Sequence, residues 1–387
     1  MLDKYTMKIK TKVVFGAGAV SDIASEAACF GVRKIMLVAD GGVRKTGLVE
    51  KVSGLLQEAS YAVLDFDEIV ENPQSFDCER GAQLALDNKI ELIVAVGGGS
   101  SMDTAKAIAG MAGHGITCFQ DIMYPKGYTC KPLPLICVPT TAGTGSEVTT
   151  CGVITDSATH QKVYCFDPEC APDVAIADPE MLMTLPEPIA AMTGVDALTH
   201  AIEAYVATCT NDITSAYGIY AIRIIADNIR EYVSHRNIQN ASAMMIGSLM
   251  AGIAFGYSDT GCVHTLSETI SKYYRIPHGL GNAIFLAPVT RFSISGDYQR
   301  YADVAEAMRV AKDRGTPQEN AEFLVEALEK LVDDLGISKL SDIKEVNPVD
   351  FENIAHDCMD HISIPSNPRH MEESDFVQIL QETYDAE

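Results

Sequence analysis

The first half of the chain alternates short apolar runs with helical patterns, and this alternation restricts the fold more than any other feature. The apolar runs have the composition of buried strands and lie at 34–40, 61–66 and 91–96. The helical patterns lie at about 19–30, 43–59 and 76–88. Strands and helices in this rhythm predict a mostly parallel sheet with helices on both faces.

The pattern changes after a β-hairpin predicted at 148–155 and 161–166 and a strand at 173–178. A joint with two prolines follows at 185–188. Beyond it the periodicity is helical, at 189–207, 211–234, 240–257, 279–292, 296–309, 316–336 and 371–383. We therefore predict an α/β domain over 1–186 and an all-helical domain over 187–387.

Composition excludes several classes of partner. The chain has 387 residues and a net charge of -24, which disfavours nucleic acid and anionic membrane surfaces. The most apolar helical stretch, 243–256, is too short to cross a bilayer. No signal peptide is visible, and eleven cysteines occur without a C-x-x-C pair. These features predict a cytoplasmic protein with reduced thiols and no membrane or nucleic-acid partner.

Three consecutive glycines, Gly97 to Gly99, follow a predicted strand and precede Ser100 at the start of a helix. Glycines allow a ligand to approach the backbone closely, and a helix N-terminus favours a pyrophosphate. A second interpretation is a capping box formed by Ser100 and Asp103 after an ordinary tight turn.

A hydroxyl-rich segment, 139–149, follows the strand predicted at 133–138. Its threonines, serine and glycines suit phosphates and ribose hydroxyls, although such loops are also ordinary turns. Asp40 ends the first strong strand, where a carboxylate binds an adenosine ribose and repels a 2′-phosphate, favouring NAD over NADP. An N-cap before Gly41 is an equally good interpretation, and the absence of Gly-x-Gly-x-x-Gly argues against an ordinary Rossmann unit.

Asp196 and His200 are four residues apart and so share a helix face. With His264 and His278 they offer one carboxylate and three imidazoles, a donor set that suits zinc or ferrous iron. A hydrogen bond along the helix is the alternative for the first pair. The remaining histidines are interpreted as structural: His114, His160, His235, His356, His361 and His370.

These motifs together resemble the iron-containing (group III) alcohol dehydrogenases over nearly the whole chain. The similarity lies in five segments: Gly97-Gly-Gly-Ser100 with Asp103 and Lys106, Pro139 to Thr149, Gly194 to Tyr205, His264 with Pro277 to Ala283, and Ser366 to Arg369.

The resemblance implies an α/β dinucleotide-binding domain and a helical metal-binding domain, as in dehydroquinate synthase and glycerol dehydrogenase. It implies that Asp196, His200, His264 and His278 bind ferrous iron, with zinc possible. It implies NAD contacts from Asp40, Asn72, Gly98, Gly99, Ser100, Thr140, Thr141, Thr144, Thr149 and Lys162. The expected reaction interconverts a small primary alcohol or diol and its aldehyde, catalysed by a homodimer or higher homo-oligomer.

Glu268 departs from the pattern of the family, which often has a proton-relaying histidine four residues after the third ligand. The proton leaves through ribose hydroxyls, through water or through this carboxylate, which also adds negative charge near the metal. The alternatives are a glycerol dehydrogenase-type polyol oxidoreductase, a lyase of the dehydroquinate synthase type and a non-catalytic scaffold. The lyase would need a basic cluster, and the segments flanking the ligands offer Lys272 and Arg275.

Overall fold

The computed structural model describes residues 4–69 and 72–386. The chain divides into two compact units, which are described separately. The α/β unit comprises Met1–Thr140 and Ser146–Met181, and the helical unit comprises Thr141–Gly145 and Leu182–Glu387. The domain bounds at residue 186 stay a prediction. The grouping of 141–145 with the helices was not expected from the sequence.

The α/β unit follows the predicted alternation of strands and helices. Its elements are β1 (Lys12–Phe15), α1 (Ile23–Ala28), β2 (Lys34–Val38), α2 (Gly41–Arg44), α3 (Leu48–Glu58), β3 (Ala62–Phe66), α4 (Ser75–Asn88), β4 (Leu92–Gly97), α5 (Gly99–His114), β5 (Leu135–Pro139), β6 (Cys151–Thr155), β7 (Lys162–Phe166) and β8 (Val174–Ala177).

Within the described residues, six parallel strands form one sheet in the order β1-β8-β5-β4-β2-β3. The predicted hairpin is confirmed as the antiparallel pair β6-β7. Strand β1 was not predicted. It is a four-residue edge strand whose Val13 and Phe15 are exposed, so its sequence lacks the apolar run of a buried strand.

Successive residues of the central strands face opposite sides of the sheet. Ile35 and Leu37 pack in one hydrophobic cluster with α1 and α3, whereas Met36 and Val38 pack in another with α4 and α5. Burial on both faces explains why these strands read as continuous apolar runs. The predicted α/β class with a parallel sheet is therefore confirmed.

The helical unit contains, among the described residues, α6 (Glu187–Val206), α7 (Asp212–Ser234), α8 (Ile238–Gly256), α9 (Cys262–Tyr274), α10 (His278–Ser293), α11 (Tyr298–Ala307), α12 (Pro317–Asp334), α13 (Phe351–Cys358) and α14 (Glu373–Asp385). Seven of these confirm the predicted helices. Helices α9 and α13 were not predicted. Helix α6 is buried along most of its length and packs against α7, α8 and α10.

Helix α8 corrects the expectation for the most apolar segment. It spans 19 residues rather than the shorter stretch assumed from the sequence, and among the described residues it alone has the length and composition to cross a bilayer. Core helices of globular units share these properties. The buried residues of α8 include Met244, Met245 and Ala251, and the helix packs against α6 and α7.

Candidate metal centre and cofactor loops

The four predicted metal ligands converge within the helical unit. Asp196 and His200 lie one turn apart on α6, His264 lies in the first turn of α9, and His278 begins α10. Their ligand atoms all lie within 4.8 Å of one another. The structure therefore brings together three helices whose sequence positions span more than eighty residues, and we call this group the metal cage.

His200 is held in the cage by aromatic stacking. Its ring lies 4.3 Å from that of Phe255 at an interplanar angle of 17°. Its Nδ1 is 3.7 Å from Oδ1 of Asp196 and has no hydrogen-bond partner among the described residues. Burial lowers the pKa of His200 to about 3, so the imidazole is neutral and presents a lone pair.

Asn282 contacts three of the four ligands with one amide group. Its Nδ2 lies 2.7 Å from Oδ1 of Asp196, 3.1 Å from Nε2 of His264 and 3.2 Å from Nε2 of His278. One amide nitrogen, which has two hydrogens, thus lies within hydrogen-bond distance of three ligand atoms. On the far side of its ring, Nδ1 of His264 lies 2.5 Å from Oε2 of Glu203. Nε2 of His264 therefore carries a lone pair that points into the cage.

The charge of Asp196 is set by its neighbours rather than by its burial. Burial alone would raise its pKa, but His200, His278 and His264 outweigh that effect and hold the pKa below its ordinary value. One ionised carboxylate and imidazole lone pairs then surround a single buried point. These donors fit a borderline transition-metal cation such as ferrous iron or zinc, and not calcium or magnesium.

Glu268 lies one turn after His264 on α9 and is buried. Its Oε2 is 3.2 Å from Nε2 of His361. Burial would raise the pKa of Glu268, but the hydrogen bond from His361 outweighs it, so the pKa lies well below the ordinary range. No sequence pattern predicted this pair, because 93 residues separate its members. His361, interpreted as structural from the sequence, is therefore a candidate functional residue.

Asp40 caps helix α2, which supports the N-cap interpretation of this residue. Its Oδ1 accepts hydrogen bonds from the backbone N–H groups of Gly42 and Val43 at 2.8 and 3.1 Å. Its Oδ2 accepts one from Oγ of Ser101 at 3.0 Å. Gly97, with φ at +155°, leaves room for this contact, since a Cβ there would lie 2.3 Å from Oγ of Ser101.

The predicted capping box of Ser100 and Asp103 is wrong. Helix α5 begins after Gly98, which has no side chain to act as a cap, and Asp103 binds other groups. Its carboxylate accepts from Oγ of Ser146 at 2.6 Å and from the N–H of Val153 at 3.0 Å. Asp103 thereby fixes the end of the hydroxyl-rich segment against β6. The first turn of α5, with Gly99 and Ser100, keeps N–H groups suited to an anion.

The sheet topology places Asp40 and the start of α5 at one site. Strand β2 is flanked by β3 and β4, and β4 by β2 and β5, so the chain connections diverge between β2 and β4. Ligands of open α/β sheets bind beyond the carboxyl ends of the strands at such a switch point. Asp40 follows β2 there, and Gly98 follows β4.

The predicted cofactor residues of the hydroxyl-rich segment differ in their environments. Thr140 is 3% exposed, and its Oγ1 has no hydrogen-bond partner among the described residues. Oγ1 of Thr149 instead accepts a 2.9 Å hydrogen bond from Nζ of buried Lys106. Elsewhere in the α/β unit, Nζ of Lys162 donates to Oδ1 of Asn72 at 2.9 Å, which brings two predicted cofactor residues together.

The glycines of 141–145 serve close packing within the helical unit. A Cβ on Gly143 would lie 2.8 Å from Thr193 on α6. Gly145 has φ at +60°, and a Cβ there would lie 2.6 Å from Cα of Gly252 on α8. This packing role of the two glycines was not predicted from the sequence. Thr141, in the same loop, has a buried Oγ1 without a partner among the described residues, and Thr144 lies between the two glycines.

Comparisons with known proteins agree with this geometry. Residues 10–179 match the family model of iron-containing alcohol dehydrogenase, and residues 190–384 match the C-terminal model of the same family. The chain is 34% identical to 1,3-propanediol dehydrogenase of Citrobacter freundii, covering 96% of each chain. It is 33% identical to NAD-dependent methanol dehydrogenase of Bacillus methanolicus, covering 95% of this chain and 97% of the relative.

A solved structure gives the same result. The alcohol dehydrogenase from Oenococcus oeni superimposes with a TM-score of 0.94 at 30% identity, covering 98% of this chain and 100% of the other. With the family models matched over both halves of the sequence, the conclusion is direct: the chain belongs to the iron-containing alcohol dehydrogenase family.

Proposed function

We propose that this protein is an NAD(H)-linked, metal-dependent alcohol dehydrogenase that interconverts a small primary alcohol or diol and its aldehyde. The observation that carries the proposal is the metal cage of the helical unit, in which Asp196, His200 and His264 are buried and His278 is half-buried. Relatives that match almost the whole chain are a propanediol dehydrogenase and an NAD-dependent methanol dehydrogenase.

Asp196, His200, His264 and His278 would hold ferrous iron, and zinc accepts the same donors. A bound ion supplies Lewis-acid activation of the oxygen that is oxidised or reduced. The protein contributes the rest. With a divalent ion bound, the three imidazoles and the single carboxylate would leave a site with net positive charge, and the ring of Phe255 stacks on that of His200.

Within the α/β unit we assign the pyrophosphate of NAD to the first turn of α5, at Gly98, Gly99 and Ser100. Asp40 would accept hydrogen bonds from the adenosine ribose, and its charge would disfavour a 2′-phosphate. The remaining proposed contacts are Asn72, Thr140, Thr141, Thr144, Thr149 and Lys162. The unpartnered hydroxyls of Thr140 and Thr141 support this assignment, because buried polar groups ordinarily have partners.

We assign proton transfer to Glu268 acting with His361. The carboxylate lies one turn from His264, and its 3.2 Å contact with Nε2 of His361 provides a second group that can hold the proton. A lyase of the dehydroquinate synthase type is not supported. It would need free cations near the metal ligands, and Nζ of Lys272 is bound to Asp357 at 2.6 Å.

The test is anaerobic purification with elemental analysis, followed by removal and replacement of the ion. We expect a reconstituted protein to reduce NAD⁺ with a panel of short alcohols and diols, and the metal-free protein to be inactive. Full turnover without a metal would refute the proposal. Consumption of a phosphorylated sugar acid without net NADH would identify the lyase instead.

We also propose a cytoplasmic homodimer or higher homo-oligomer. All eleven cysteines lie among the described residues and are free thiols, as expected in a reducing compartment. Light scattering of the purified protein measures the oligomeric state directly, and a monomer would contradict this part of the proposal.

A further inference from the structure

We propose that Glu203 is a positioning residue that fixes the His264 imidazole in the tautomer able to bind a metal and, with the same carboxylate, sets the start of helix α9. The inference rests on the proposed metal site. It adds to that site a residue outside the four ligands, placed seven positions after Asp196 and three after His200 on α6.

The spacing puts all three residues on one face of α6. Residues at i, i+4 and i+7 line the same side of an α-helix. Asp196 and His200 reach the metal cage directly, and Glu203, about one turn further along, reaches α9. It is 5% exposed, and a charged side chain is rarely buried to this degree unless it is paired.

Both oxygens of Glu203 receive a hydrogen bond from α9. Oε1 accepts from the backbone N–H of Val263 at 2.7 Å, and Oε2 pairs with Nδ1 of His264 at 2.5 Å. A carboxylate only accepts, so the proton between these groups belongs to Nδ1. In the neutral ring Nε2 of His264 is then unprotonated, which agrees with the Nδ2 donor of Asn282 lying 3.1 Å from it.

The carboxylate also replaces a missing helix cap. Helix α9 begins after Gly261 and has no local side-chain cap, so the N–H of Val263 would lack a partner without Glu203. A negative charge near a helix N-terminus is further stabilised by the helix dipole. One side chain therefore fixes both the first turn of α9 and the ring that this turn carries.

The lack of a side chain at Gly261 leaves room for the Glu203 carboxylate. A Cβ at that position would lie 2.9 Å from Oε1 of Glu203 and 3.3 Å from Oδ1 of Asn367. No side chain fits there without displacing the carboxylate. The room left at Gly261 is a second observation, separate from the hydrogen bonds, that this segment accommodates Glu203.

Glu203→Gln is the sharpest variant, because it keeps the shape and replaces one acceptor by a donor. An amide has one oxygen for two N–H groups, so its NH₂ must face either Val263 or His264. Facing His264, it draws the proton to Nε2, which blocks the metal. Losing such a supporting carboxylate typically costs about 10–100-fold in metal affinity. We expect a loss in this range for Co²⁺ or Zn²⁺ added to chelator-treated protein in competition with a chromophoric chelator.

Two further measurements make the test independent of folding. In the metal-free wild-type protein, ¹⁵N-histidine NMR should show His264 protonated at Nδ1, and in Glu203→Gln this signal should shift towards Nε2 protonation. Gly261→Ala leaves every ligand and Glu203 in the sequence but crowds Oε1, and it should also weaken metal binding. Glu326→Gln removes the same charge from an exposed position on α12 and should change neither readout.

The outcomes separate this inference from the proposed function. A wild-type protein that binds no divalent ion refutes the proposed function itself. If the wild type binds the ion but Glu203→Gln folds and binds it within twofold, this inference is overturned. A His264 whose single ring proton lies on Nε2 in the metal-free wild type, measured at a pH where the ring is neutral, overturns it as well, whatever the variants do.

Discussion

Two carboxyl groups are buried to the same degree, Asp196 in the metal cage and Glu147 in the α/β unit. Their pKa values nevertheless shift in opposite directions. Asp196 is 1% exposed, and the imidazoles around it hold its pKa below the ordinary value. Glu147 is 2% exposed, and burial, only partly offset by its backbone hydrogen bond and Lys106, raises its pKa to about 7. For two equally buried carboxyl groups, the neighbouring charges and hydrogen bonds therefore determine which one is ionised.

The same contrast extends to the surroundings of the two groups. The cage is held by polar side chains from three helices, with Glu203 and Asn282 orienting its ligands. The proposed cofactor residues of the α/β unit mix groups that are already bonded with groups that are not, such as Thr149 and Thr140. We infer that the metal meets a preformed site, whereas the cofactor supplies partners that part of its site lacks.

His264→Ala should give the largest effect, because it removes one ligand of the metal cage and leaves the buried Glu203 carboxylate without its His264 partner. We expect metal binding and turnover to be lost together, since one of four ligands is gone. Removing one partner of a buried charged pair also lowers the free energy of unfolding by about 3–5 kcal/mol. The unpaired Glu203 should therefore make the metal-free variant less stable. Elemental analysis, NADH formation and chemical denaturation measure the three consequences.

His356→Ala is the matched control for that variant. His356 is exposed and pairs with Glu373 at the surface, where an ion pair contributes little. We expect normal metal content, activity and stability. If His264→Ala retained its metal ion and had normal activity, the proposal that catalysis depends on the metal cage would be contradicted.

Glu147→Gln should change the dependence of stability on pH. The folded protein binds the Glu147 proton more tightly than the unfolded chain, whose value is the ordinary 4.5. Stability is therefore lost as pH rises from about 4.5 through 7, by on the order of 3 kcal/mol for this group. The uncharged variant should lack this loss and unfold at higher denaturant than wild type at pH 8, but not at pH 4.5.

The exposed Glu326→Gln serves as the control and should leave the pH profile unchanged. A Glu147→Gln protein with the wild-type profile would show that folding does not raise the pKa of Glu147. In that case the contrast with Asp196 would fail.

Thr149→Val and Thr140→Val compare two hydroxyls within the α/β unit. Removing the Thr149 hydroxyl takes a partner from buried Lys106, so we expect a loss of about 1–3 kcal/mol in the free energy of unfolding. Removing the Thr140 hydroxyl costs the metal- and cofactor-free protein nothing. It should instead weaken NAD⁺ binding by about tenfold, the equivalent of one hydrogen bond.

Denaturation and NAD⁺ titration of both variants separate the two roles. A Thr149→Val protein as stable as wild type would contradict the structural role of its hydroxyl, and a Thr140→Val protein that is unstable but binds NAD⁺ normally would contradict the assignment of Thr140 to the cofactor.

Much of the fold was predictable because its signals are local. The runs that became β2, β3 and β4 are apolar and short, and the long helices carry strong periodicity. Strand β1 and helix α9 were missed for a common reason. Each depends on a distant partner, β1 on β8 and α9 on Glu203, rather than on its own composition.

The ligands of the cage were predictable from spacing and motif, but the groups that orient them were not. Asn282 and Glu203 lie inside segments that resemble the family, but no pattern in the sequence assigned them a role, and His361 meets Glu268 only in the folded chain. The error at Ser100 and Asp103 has the same origin. The spacing fits a capping box, but the Asp103 carboxylate instead accepts hydrogen bonds from Ser146 and Val153.

The smallest expected effect belongs to Asp40, where two functions can be separated by two substitutions. Asp40→Ala removes the cap of α2 and the negative charge, whereas Asp40→Asn keeps a capping oxygen and removes only the charge. We expect Asp40→Ala alone to lose about 1 kcal/mol of stability. Both variants should lower the preference for NAD⁺ over NADP⁺ in kcat/KM by about fivefold, because a charge repulsion near the surface is worth about 1 kcal/mol. If Asp40→Asn keeps the full preference for NAD⁺ over NADP⁺, Asp40 caps α2 and has no role in cofactor choice. The hydrogen bonds of its carboxylate would then be structural only.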